Sequence, residues 1–142
     1  MDLLNPILLI LHFLGLAMGL SVSFANIVMS GLIARAAPAE RPVLSRFPPA
    51  MIRVGDIGLT LLWLSGLGML FFKWGGFSAM PVTFHIKITL VAVLTGIIGY
   101  IHAQLKKLRN GDAAAAARIQ TAAKVAFLLA ISIVVLAVLT FD

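Results

Sequence analysis

The sequence predicts an all-α integral membrane protein, a four-helix bundle with both termini outside and both basic loops in the cytoplasm. Three observations lead there. Of 142 residues, 61% are hydrophobic and 11% are charged, against roughly 25% charged residues in a soluble domain, whose core has no use for so much apolar surface. Four stretches, 6–33, 57–72, 88–101 and 125–141, carry no charged side chain. The cations fall between them: Arg35, Arg41, Arg46 and Arg53 follow the first stretch, and Lys106, Lys107, Arg109, Arg118 and Lys124 follow the third. Nine of the eleven Lys and Arg residues therefore sit in alternate connections, the distribution that marks cytoplasmic loops. The net charge of +6 is explained by that placement, and a nucleic-acid partner is not expected.

The first helix is expected over roughly 5–33. It opens on Asp2 instead of a basic segment and is too long for a signal core, so it is expected to stay in the mature protein. Segment 36–50 contains Pro38, Pro42, Pro48 and Pro49 and is expected to be irregular, because Pro inside a helix removes a hydrogen bond and clashes with the preceding turn. A bilayer core of about 30 Å needs about 20 residues at 1.5 Å each. The second helix, roughly 53–73, reaches that length only by taking in Asp56, and the third, roughly 83–107, only by taking in His85 and Lys87. Between them Trp74, Gly75 and Gly76 mark an interfacial turn, and Thr83 is a candidate N-cap. Asn110-Gly111 ends the third helix, and Asp112 is placed to cap the alanine run that opens the fourth, roughly 114–141. Each loop is too short to fold alone, so residues 1–142 read as a single transmembrane domain.

Cysteine is absent, which excludes disulfides, thiolate metal sites and thiol chemistry. No phosphate loop, nucleophile elbow or zinc-protease motif is present. What remains are ionisable groups inside apolar helices, where burial is costly and function is the usual reason for it. His12 lies about two turns inside the first helix, and His85 and Lys87 open the third. The charge pattern puts both ends on the outer side, so His12 and His85 share a leaflet, as two axial ligands of a b-type haem must. The plainer alternatives are that His12 bonds a backbone carbonyl and His85 reaches to the interface. Lys87 either snorkels outward along its aliphatic stem or faces inward to an anion such as a porphyrin propionate.

His12, Gly15, Gly19, Ser23 and Asn26 recur in steps of three or four and line one stripe of the first helix. Small residues there leave room for a flat ligand, or for close packing of a neighbouring helix. The same ambiguity attaches to Ser65, Gly66 and Gly68 in helix two and to Thr95, Gly96 and Gly99 in helix three. Asp56 is three residues from Arg53 and suits a local ion pair. His102, at the cytoplasmic end of helix three, is too far along it from His85 to share a site. Met18, Met29, Met51, Met69 and Met80 form no tight motif but would suit Cu(I) beside histidine, and otherwise fill apolar space.

Several of these residues together resemble a known family. The His12-Phe13-Leu14-Gly15 opening, His85-Ile86-Lys87, the exit Lys106-Lys107-Leu108 followed by Gly111-Asp112, and the apolar helix after Arg118 resemble the HemJ-type membrane protoporphyrinogen oxidases and the related CopD-like four-helix membrane proteins. The resemblance covers nearly the whole chain. It implies haem b as cofactor, removal of six electrons from protoporphyrinogen IX, and a functional pair at His12 and Lys87. The family's Trp and Arg in the first helix have no counterpart here, and its further helix-three histidine falls at Ile98, one turn before His102.

The expectation is thus a haem b-binding redox protein of the bacterial inner membrane, with His12 and His85 as metal ligands, Lys87 at a propionate or substrate carboxylate, and a quinone or other respiratory-chain acceptor as partner. Whether it is an enzyme stays open. The alternatives are a copper-handling CopD-like protein using His12, His85 and Met80, or a non-catalytic subunit packed by its glycine stripes into a homo-oligomer or a larger membrane complex.

Overall fold

In lipid a backbone N–H or C=O finds no water, so a spanning segment must satisfy its polar groups within itself. The computed structural model describes residues 3–141 and meets that demand with helices alone. They are α1 (Leu4–Arg35), the short α2 (Arg41–Leu44), α3 (Phe47–Phe72), α4 (Val82–Arg109) and α5 (Ala115–Phe141), with a 3₁₀ turn at Phe77–Ala79. Among the described residues, four segments are long and apolar enough to cross a membrane. The chain is a multi-pass membrane protein on that ground. Hydroxyls inside the spans follow the same logic. Ser23, Thr95, Ser132 and Thr140 each donate to the carbonyl four residues back, hiding an O–H that lipid would leave unsatisfied. Phe13, Leu64, Leu128 and Leu139 are all more than half exposed, which suits a surface solvated by acyl chains.

The chain divides into two compact units, one ending at Ser78 and one beginning at Ala79. In the first, α1 packs antiparallel to α3; in the second, α4 packs against α5. Each is a helical hairpin.

Two expectations at helix ends change. Segment 36–50 is not irregular throughout: Pro42 lies in the first turn of α2, and Pro48 and Pro49 in the first turn of α3. First-turn N–H groups have no intrahelical acceptor, so a proline there removes nothing and its fixed φ favours the helix. Thr83 does not cap α4; Pro81 is the N-cap, with φ −69° and ψ 166°, and its carbonyl accepts from the Phe84 and His85 amides. Arg118 and Lys124, counted with the cations of the basic connection, lie on α5, within the range expected for the fourth helix.

The other punctuation agrees with expectation. Gly75 and Gly76 adopt φ of +79° and +107°, and the Gly76 amide closes back on the Leu70 carbonyl at 2.9 Å to end α3. Lys73 Nζ lies 5.1 Å from the Trp74 ring centroid, an arrangement suited to a membrane–water boundary. Gly111 has φ +97°, and the Asp112 carboxylate accepts the Ala114 amide at 3.2 Å, satisfying a donor at the start of α5.

Candidate functional site

The α1–α3 seam is built on glycine. A methyl placed on Gly15 would lie 2.7 Å from the Gly58 carbonyl oxygen, and one on Gly58 would lie 2.9 Å from the Gly15 carbonyl. The two backbones touch where they cross, which only small residues permit. On one side of this crossing Gly55 sits against Val22; on the other Gly68 sits against Leu8. His12 lies on that second side, one turn from the crossing.

His12 Nδ1 is 3.0 Å from Ser65 Oγ on α3, and the Gly66 position lies against the imidazole Cε1. Ser65 is 1% exposed. Its hydroxyl donates to the Leu61 carbonyl, with the Leu62 carbonyl also in reach. Both acceptors belong to the serine's own helix, so the oxygen lone pair faces His12. With the serine proton on its own helix, this contact suits an imidazole that donates from Nδ1, the tautomer that leaves Nε2 as the acceptor nitrogen. A metal-ligating histidine is commonly oriented in this way, by a hydrogen bond from its second nitrogen.

The stripe beyond His12 resolves into unlike positions. Gly15 is filled by the α3 backbone, so there the small residue serves helix packing and leaves no room for a flat ligand. A methyl on Gly19 would meet nothing within 4 Å. Ser23 is turned back to the Gly19 carbonyl. Asn26 Oδ1 is buried with no hydrogen-bond partner among the described residues, a costly state for an amide oxygen in an apolar setting.

His85 and Lys87 stand on α4, in the second unit. His85 is exposed, with its ring edge-on to Phe84 at 6.0 Å between centroids. Lys87 is half-buried. Two residues on a helix are about 200° apart around its axis, so the two side chains leave opposite faces of α4. A ligand held by one does not automatically meet the other. His102 is also exposed, and at 1.5 Å per residue it stands about 25 Å along α4 from His85. Asp56 is half-buried, and its backbone carbonyl accepts from Thr60 at 2.9 Å. Among the described residues no group of three or more His, Asp or Glu side chains could hold a metal ion.

At the basic end of the second hairpin lies a cluster that motif reading passes over. Arg118 Nε donates to Gln104 Oε1 at 2.6 Å, and its terminal nitrogen pairs with Asp112 at 2.7 Å. Gln104 is 4% exposed. Gln104 sits between His102 and Lys106 in the sequence, and nothing local pairs it with a cation fourteen residues on.

The imidazole of His12 is the kind of donor an axial haem ligand requires, and its Nδ1 is anchored on Ser65. The Gly15 position does not contribute space for a porphyrin. Comparison with protein-family models, with curated proteins and with solved structures finds no match.

Proposed function

We propose that this protein is a haem b-binding redox protein of the bacterial inner membrane, with both basic loops cytoplasmic and His12 supplying one axial nitrogen through Nε2. The observation that carries the reading is the Ser65–His12 hydrogen bond at 3.0 Å, which favours the Nδ1–H tautomer inside an apolar seam. His85 is the proposed second ligand. Haem bound there would supply one-electron redox chemistry at a potential set by its ligands and burial. Lys87, on the face of α4 opposite His85, is proposed to meet a carboxylate of the substrate. The resemblance to HemJ-type proteins nominates that substrate as protoporphyrinogen IX, whose six electrons would pass to a quinone-class acceptor.

The test is the reduced-minus-oxidised spectrum of detergent-purified protein expressed with adequate haem supply. The expected result is a Soret band that His12→Ala abolishes or shifts and that His85→Ala alters, while helical circular dichroism is retained. A colourless wild type, or a band indifferent to both substitutions, rules the reading out.

A further inference from the structure

The α4–α5 hairpin carries an open groove of about 570 Å³, within the range of about 300–1,000 Å³ typical of small-molecule sites. Its walls are two helical stripes, Val93, Gly96 and Tyr100 on α4 facing Arg118, Thr121 and Val125 on α5. The antiparallel pairing puts Tyr100 and Arg118 towards the end where Arg118 meets Gln104, and Val93 and Val125 towards the other. Along each helix the lining spans seven residues, about 10 Å. Gly96 makes the space: a methyl there would meet nothing within 4 Å.

The distribution of charge along this groove selects its occupant. Arg118 stands at the mouth, in the first turn of α5, and the deeper walls are apolar apart from the Thr121 hydroxyl, which turns back to the Ala117 carbonyl at 3.1 Å. Lys106, Lys107 and Arg109 occupy the last turn of α4 beside the same end. One carboxylate, Asp112, offsets Arg118, and the cations still outnumber it. The guanidinium is also held in place, since the buried Gln104 amide accepts from Nε and Asp112 accepts at one terminal nitrogen. A fixed guanidinium at the membrane–water boundary above an apolar slot matches an amphiphile with an anionic head and a hydrocarbon tail.

We infer that the α4–α5 groove is a binding site for an anionic phospholipid, its phosphate on Arg118 and one acyl chain lying along Gly96 towards Val93 and Val125. The inference rests on the second hairpin alone and is independent of haem. Asp112 acts as the internal competitor for the phosphate: it holds Arg118 when lipid is absent and gives up part of that contact when lipid is bound.

Native mass spectrometry of the full chain released from detergent, after exchange into mixed phosphatidylglycerol and phosphatidylcholine, reads the site directly. Phosphatidylglycerol adducts should exceed phosphatidylcholine adducts by about fivefold, the preference one interfacial cation confers. Arg118→Gln should abolish the preference, and Asp112→Asn should raise it by a similar factor. Gly96→Leu should remove the adduct while leaving Arg118 untouched, which separates loss of the slot from loss of the charge. Equal retention of the two lipids, a preference that survives Arg118→Gln, or an uncharged isoprenoid quinone retained in their place would overturn the inference. So would displacement by inorganic phosphate alone, since the tail would then play no part, or a second copy of the chain that excludes lipid when it binds.

Discussion

The two hairpins solve the same problem by different means. In α1–α3 the backbones meet at Gly15 and Gly58, and a histidine–serine bond crosses the seam one turn away. In α4–α5 the glycines face open space, Ala115 and Ala122 are among the buried residues, and a polar clasp of Gln104, Arg118 and Asp112 closes one end. Without a hydrophobic force between helices in lipid, association relies on close van der Waals contact and on hydrogen bonds. The first hairpin leans on contact and the second on a clasp. A glycine in a membrane helix is therefore no evidence of function until its neighbour is known. Gly15 is occupied by backbone, while Gly96 opens a groove.

The largest expected effect is the contrast between these two glycines. Gly15→Ala drives a methyl to 2.7 Å from a backbone oxygen, and overpacking of this kind costs about 1–3 kcal/mol or more. Gly96→Ala meets nothing within 4 Å and should gain about 0.5–1 kcal/mol from helix propensity. Denaturant unfolding in mixed micelles compares them, and equal effects would erase the distinction between a packed and an open stripe.

Next is the clasp. Gln104→Leu removes the acceptor of the Arg118 Nε–H at a nearly buried position and should cost about 1–2 kcal/mol. The thermal midpoint of the purified protein should fall, while Gln104→Glu, which keeps an acceptor, should hold it. If Gln104→Leu melts like the wild type, the clasp contributes nothing to the second hairpin.

The smallest effect is expected at the first seam. Ser65→Ala deletes one interhelical hydrogen bond, worth about 0.6 kcal/mol on average between membrane helices. Its sharper signature is spectroscopic: nitrogen NMR of the His12 imidazole should report Nδ1–H in the wild type and a changed tautomer balance in the variant. An imidazole protonated on Nε2 in both would remove the argument that Ser65 orients it.

The spans were legible because hydropathy and helix punctuation act locally. Gly76 and Gly111 stop helices, and Asp112 starts one, through geometry confined to a few residues. The prolines at 42, 48 and 49 were misread as breakers because their effect depends on whether they stand in the first turn or later, and no local composition states that. His12 was legible as an ionisable group in lipid, but its partner was not. Ser65 is 53 positions away, and many polar residues could have met it. The Arg118–Gln104 contact was hidden for a related reason, since Arg118 read as one more cation of a basic loop.

By itself, the amino-acid sequence determined that this protein crosses a membrane as four helices and roughly where each begins and ends. Transfer into lipid depends on the side chains of one segment at a time, so a linear text suffices. Only the tertiary structure decided which small residues are filled by a neighbouring backbone and which leave a groove, and that His12 meets Ser65. Those outcomes depend on what the opposite helix presents at the same height, a property of two segments brought together by packing.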